Sequence, residues 1–509
     1  MDERVTDSDF QPEYIQTGVL ELDDVLGGGL TPNRVYLLHG TPGSGKTTLS
    51  LQFLLEGVRQ GERVLYVTLS ETHKELAAVA RSHGLSLKGI DVFEQILDED
   101  SLSPQAQYTM FQPSEIELNS TTKRILDQIE QIKPSRVVID SLSEIKLMAQ
   151  SPLRFRRQVL ALKQFFIGRD CTAFFLDDKT TSGEDDLQLE SIAHGVISLE
   201  QLSPEYGASR RRLSITKLRG QKYRGGYHDF SIVPGGLAVF PRIVASEHVQ
   251  GGATETIKSG VPEMDALLGG GLTSGSSVLL LGPAGVGKSS LALQYAVEAA
   301  RRGEGSIVFS FDERIETMLQ RTDGLNIPLR TFVDAGLIEI RAVDPAELSP
   351  GEFAHRVRQA AEGSEAKPVK IVVIDSLNGY MNAMPEERFL TAQMHELLTY
   401  LGHLGIVTFL VIAQHGLLGQ AMSTVIDTSY LADTVVLFRY FEAEGEVKQL
   451  ISVVKKRNGR HERTLREFAL GEDGIKIGEP LRQFHGVLTG TPFIRSLGEN
   501  LISPSEVPQ

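Results

Sequence analysis

GTPGSGKT at residues 40–47 and GPAGVGKS at residues 282–289 are the stretches on which the fold of this chain turns. Both satisfy G-x-x-x-x-G-K followed by Thr or Ser, the pattern of a loop that cradles phosphates. Its glycines let backbone N–H groups turn inward around an anion, and the helix that follows adds its positive end. Lys46 and Lys288 bring a point charge to the β- and γ-phosphates, and the hydroxyls of Thr47 and Ser289 suit magnesium. The expected ATP-binding residues are therefore Gly43, Ser44, Gly45, Lys46, Thr47 and Thr48 in one half, and Gly285, Val286, Gly287, Lys288, Ser289 and Ser290 in the other. ATP and Mg2+ are the implied ligands. An apolar run, residues 35–38, feeds the first loop, and a helical pattern over 48–58 leaves it. Later runs at 64–68, 137–139 and 173–176 are short, apolar on both faces and separated by helical segments. That alternation predicts an α/β fold with a mostly parallel sheet flanked by helices.

Outward from the loops, the chain repeats itself. IQTGVLELDDVLGGGL begins at Ile15 and IKSGVPEMDALLGGGL at Ile257. These starts, the loop ends Thr48 and Ser290, and the acids Glu71 and Glu313 all stand 242 residues apart. RVVIDSL holds Asp140 and IVVIDSL holds Asp375, while KLRG begins at Lys217 and KKRNG at Lys455. A shared offset that drifts only slightly means duplicated domains. The expected division is a tail at 1–14, a first domain at 15–246, a linker at 247–256 around Gly251-Gly252, a second domain at 257–486, and a tail at 487–509.

Composition bounds the function. The 509 residues suit two domains, each with its own core. A formal net charge of -15 repels phosphate backbones and anionic membranes, which argues against nucleic acid as a partner. The N-terminal MDERVTDSDF lacks the basic and apolar regions of a signal peptide, and no stretch approaches the ~18 apolar residues of a membrane span. One cysteine, Cys171, forms no internal disulfide and fits a cytoplasmic protein. His39 and His194 have no metal-ligand spacing and read as structural; residues 210–212, three arginines, read as a solvated or subunit-facing edge.

Asp140 and Asp375 each end an apolar run, which places a carboxylate beside the phosphate loop where it can hold magnesium together with Thr47 or Ser289. Glu71 and Glu313 follow the next run at equal spacing from their loops and are the expected water-activating groups. Ser70 stands where the second half has Asp312, so Asp312 is a further catalytic candidate there.

The paired loops, the TGVLELDDVLGGGL lead-in, the IDSL strand ends, KLRG, and VVKKRNGRHERTLREF together resemble the KaiC family, a branch of the RecA-like ATPases, over about residues 15–490. The resemblance implies two tandem RecA-like domains, slow Mg-dependent ATPase activity, and a two-tiered homo-hexamer with nucleotide between subunits. It also implies serine/threonine autokinase activity in the second domain and a regulatory protein partner. Lys217 and Arg219, and Lys455 and Arg457, are implied to reach a neighbour's γ-phosphate, each pair on one face of a strand. Ser429, on residues 427–433 read as an interface strand, matches the family's phosphosite region, with Tyr430 in place of a second hydroxyl acceptor. A KaiC-like ATPase in signalling or regulation is the expectation. The alternatives are a RecA-like DNA repair motor and a nucleotide-gated scaffold with little turnover.

Overall fold

The computed structural model describes residues 13–95, 113–179, 189–204, 207–248, 255–363, 367–382, 390–414, 429–443, 445–485 and 493–494. Most of the expected linker and tails falls outside them. The chain forms two compact units that divide between Arg242 and Ile243.

In the first unit the strands are β1 (Val35–Gly40), β2 (Val64–Thr68), β3 (Asp91–Glu94), β4 (Arg136–Asp140), β5 (Thr172–Asp178), β6 (Gly195–Leu202), β7 (Arg210–Leu218), β8 (Tyr227–Val233) and β9 (Gly236–Phe240). They form one sheet in the order β3-β2-β4-β5-β1-β6-β7-β8-β9. Pairing is parallel from β3 to β6 and antiparallel from β6 to β9. Alternate residues of each strand enter different cores, as a strand's period of two requires. Tyr36, Leu38, Phe174 and Leu176 pack with the helix Lys46–Arg59. Val35, Leu37, Ala173 and Phe175 pack with the helices Pro113–Ile132, Leu142–Ala149 and Pro152–Phe166. Burial on both faces explains why these runs are apolar throughout, each such side chain contributing roughly 1.5–3 kcal/mol. Cys171 is one of these core residues, and burial pushes its thiol up to about 12.

The second unit repeats the design. After a short hairpin of β10 (Thr256–Ile257) and β11 (Leu272–Thr273) come β12 (Ser277–Gly282), β13 (Gly305–Ser310), β14 (Ile338–Ala342), β15 (Val369–Asp375), β16 (Val407–Ala413), β17 (Thr434–Ala443), β18 (Glu446–Lys456), β19 (Arg466–Gly471) and β20 (Gly474–Pro480). The order β14-β13-β15-β16-β12-β17-β18-β19-β20 is the first sheet's order, strand for strand. Val278 and Leu280 face the helix Lys288–Arg301. Leu279 faces the helices Pro350–Glu362 and Leu390–His403. Among the described residues no helix is long and apolar enough to cross a membrane.

Candidate functional site

In each unit the phosphate loop joins a central strand, β1 or β12, to a helix that starts at the loop lysine. Gly45 and Gly287 hold the position before that helix at φ +102° and +93°, where an L side chain is strained. A Cβ on Gly287 would also lie 2.6 Å from Phe468 Cε1. Side chains of the antiparallel extension, Ile232 and Phe230 in the first unit and Phe468 and Leu470 in the second, thus lie against these glycines. Asp140 and Asp375 are the last residues of β4 and β15, so both carboxylates reach the C-terminal edge of the sheet where the loop lies.

The first site has these parts in contact. Lys46 Nζ donates to Gly40 O at 2.9 Å, to Thr41 O at 3.0 Å and to Asp178 Oδ1 at 2.8 Å. Thr47 Oγ1 donates to Asp140 Oδ2 at 3.3 Å, and the Tyr66 hydroxyl donates to the same oxygen. Burial raises the Asp140 carboxyl above its usual range, against the lowering effect of Tyr66, Lys46 and Thr47. Thr68 and a capping box between Thr72 and Glu75 shape the turn that carries Glu71: Glu71 N donates to Thr68 Oγ1 at 3.0 Å. The Glu71 Oε2 atom is buried and accepts no hydrogen bond. Burial, then Asp140 and Glu75, raise its pKa.

The second site keeps the plan and changes the partners. Lys288 Nζ donates to Gly282 O at 2.9 Å and Pro283 O at 2.6 Å, and burial pulls its ammonium down to about 8 while Asp375 opposes the shift. Burial raises the Asp375 carboxyl above its usual range, against the lowering effect of the neighbouring Ser289 hydroxyl. Asp312 accepts from Ser376 Oγ, so the adjacent acids Asp312 and Glu313 have separate partners. Glu313 is gripped by Arg321: Nε lies 3.1 Å from Oε1 and Nη2 2.8 Å from Oε2. Arg321 Nη1 also donates to Ser290 Oγ at 2.7 Å. Lys288, Ser289, Glu313, Arg321 and Leu470 line one cavity of about 500 Å³.

Tyr66, Asp178 and Arg321 escaped the reading of the sequence. The 242-residue offset flags two of them, because Val308 stands opposite Tyr66 and Val79 opposite Arg321.

The basic pairs depart from the expectation that both members share a strand face. β7 ends at Leu218 and β18 at Lys456, so Arg219 and Arg457 lie just beyond their strands. A register shift opposite Val196/Ile197 and another opposite Val435/Val436 interrupt the simple alternation before each pair. Lys217 Nζ donates to Glu190 O and Ala193 O, Arg219 to Ser191 O, and Lys455 to Ala432 O. Arg457 pairs with Asp433 at 3.2 Å. Ser429 opens a 3-10 turn, Ser429–Leu431, rather than lying in a strand; residues 427–428 and the Ser429 side chain lie outside the described residues. The turn is set by Asp433, whose carboxylate accepts from Ser277 N at 3.0 Å and Ser277 Oγ at 3.1 Å just before β17 begins.

A mostly parallel sheet with a phosphate loop on its central strand and an acid at the end of the next strand but one, built twice, defines a tandem RecA-like P-loop ATPase. Comparison with known proteins narrows this. The family described as "ATPase: KaiC" matches residues 15–243 and again 257–482, and the chain belongs to that family. It is 27% identical to the circadian clock protein KaiC3 of Synechocystis over 492 residues, covering 96% of each chain. It is also 27% identical to the circadian clock oscillator protein KaiC of Picosynechococcus, covering 94% of this chain and 92% of the relative.

Proposed function

We propose that this chain is a Mg-dependent ATPase with two hydrolytic sites, acting in cytoplasmic signalling or regulation. The observation that carries the reading is the recurrence of one constellation: a loop lysine, a loop hydroxyl beside a strand-end aspartate, and a glutamate after the strand next to that aspartate's. Thr47 with Asp140, and Ser289 with Asp375, hold Mg2+. Two hard oxygens fit an ion that keeps waters and takes phosphate oxygens for the rest of its shell. The ion neutralises charge on the phosphates when bound. Lys46 and Lys288 orient the β- and γ-phosphates. Glu71 and Glu313, with Asp312 beside the latter, take the proton of the attacking water. The relatives named for the circadian clock support a regulatory setting and a regulatory protein partner.

In a homo-hexamer, Lys217, Arg219, Lys455 and Arg457 contact the γ-phosphate held by the neighbouring subunit, and Ser429 accepts a phosphoryl group in the second domain. The scaffold reading has support at the second site alone, where Glu313 is held by Arg321. Steady-state turnover with and without Mg2+ tests the main reading. The double variant Glu71→Gln with Glu313→Gln is expected to lose about 10²–10⁴-fold in turnover while still binding ATP. Full turnover in that variant removes the assignment. Labelled ATP followed by peptide mapping, with Ser429→Ala as control, tests the kinase arm, and addition of DNA is expected to leave the rate unchanged.

A further inference from the structure

The two sites differ in what holds the catalytic glutamate, and the difference resides in one side chain. The helices His73–Ser82 and Ile315–Gly324 occupy equivalent places, 242 residues apart at both ends. Within them Val79 is the counterpart of Arg321. Valine has no donor, and Glu71 keeps a buried carboxylate oxygen without a hydrogen bond. Arg321 occupies both oxygens of Glu313 and ties the assembly to Ser290, next to the loop hydroxyl Ser289.

We propose that Arg321 is a positioning residue that holds Glu313 back from water, so that the second site keeps ATP intact longer than the first. This rests on the reading of Glu313 as the water-activating base. A bidentate guanidinium–carboxylate pair has fixed geometry and is among the stronger side-chain contacts. Its side chains are only 31% and 26% exposed, so water competes weakly for either partner. A carboxylate engaged on both oxygens is not free to turn toward an attacking water and accept its proton. The first site has no such restraint on Glu71, so the duplicated halves divide the work into a site that turns over and a site that stores.

The test uses the full chain carrying Lys46→Ala, which silences the first site. Adding Arg321→Ala is expected to raise kcat at least about tenfold, within the range a positioned base supplies, with KM for Mg-ATP within about twofold. Nucleotide isolated with the protein is expected to shift from ATP toward ADP. Arg321→Lys keeps the charge without the two-point grip and is expected to fall between the two. A fall in kcat, or no change in either readout, overturns the proposal. Should Arg321→Ala fail to fold, Val79→Arg in a Lys288→Ala chain decides: slower first-site hydrolysis at unchanged affinity supports the clamp, and an unchanged rate refutes it. Glu313→Gln in the Lys46→Ala chain separates the two ideas, because unaltered turnover there removes the base itself rather than its restraint.

Discussion

Lys46 Nζ stands 2.8 Å from Asp178 Oδ1, whereas the residue in register with Asp178 in the second sheet is Ala413. Gly40 pairs with Asp178 across β1 and β5 as Gly282 pairs with Ala413 across β12 and β16. The first loop lysine therefore has a carboxylate partner in its own chain, and Ser143 steadies that carboxylate through a 3.3 Å hydrogen bond. Lys288 contacts the carbonyls of its own loop instead. A triphosphate entering the first site meets Asp178 as a competitor for Lys46 and as a like charge.

Asp178→Ala is accordingly expected to tighten Mg-ATP binding at the first site. Asp178 is 37% exposed, so solvent screening limits the effect to the order of 1 kcal/mol, or about three- to tenfold in affinity. Calorimetry on a Lys288→Ala chain measures this site alone. Weaker binding after the substitution would mean that Asp178 positions the lysine rather than competing for it.

A second asymmetry concerns stability. Arg136 is fully buried at the start of β4, where its guanidinium donates to Glu62, Gln60 and the carbonyls of Gln16 and Phe53. Arg136→Ala leaves the buried Phe53 carbonyl unpaired and removes the partner of Glu62, whose side chain is only 23% exposed. A loss of about 3–5 kcal/mol is expected for the first unit, as for other broken buried pairs. Calorimetric unfolding should show one transition moving down and the other staying. A shift below about 1 kcal/mol would show that water replaces the guanidinium.

Buried Asp23 gives a pH signature. Burial raises its carboxyl from 3.8 to about 6, although Thr17 N donates to it at 2.9 Å. Because the folded-state value is the higher one, the native state binds this proton more tightly than the unfolded chain. The resulting stability is full below about pH 4 and is lost as pH rises through about 6, a change on the order of 2–3 kcal/mol. Asp23→Asn retains an oxygen for Thr17 and is expected to flatten unfolding free energy between those pH values. Identical pH profiles for the two proteins would contradict the assignment.

The parts readable from the sequence are those written contiguously. A phosphate loop is a backbone device, so its glycines, lysine and hydroxyl sit within eight letters, and the apolar runs beside it betray a sheet buried on both faces. Asp140 and Asp375 were legible because each ends such a run. Asp178 was not, because its meeting with Lys46 depends on β5 lying beside β1, a neighbour 132 residues away. Arg136 interrupts no apolar pattern strongly enough to announce a buried cation. The antiparallel strands β7, β8 and β18–β20 are half-exposed, and their mixed composition carries little signal. The turn at Ser429 follows from Asp433 bonding to Ser277, a contact across 156 residues that local propensity cannot express.

Arg457 supplies the last prediction, on assembly. Its side chain is 56% exposed and its partner within the chain is Asp433, with a longer 3.5 Å contact to Tyr430 O. An ion pair this open to solvent adds little to folding, so Arg457→Ala should leave the unfolding temperature almost unchanged. If the guanidinium reaches a neighbour's γ-phosphate, the bound triphosphate supplies a second anion for it and couples nucleotide to ring closure. Light scattering across an ATP titration is then expected to show wild-type chains assembling as nucleotide binds. The Arg457→Ala chain should bind ATP within about threefold of wild type and assemble only at higher protein concentration. Equal assembly of the two proteins would leave Arg457 as a surface residue paired with Asp433, and a wild-type chain that stays monomeric at every ATP concentration would remove the ring itself.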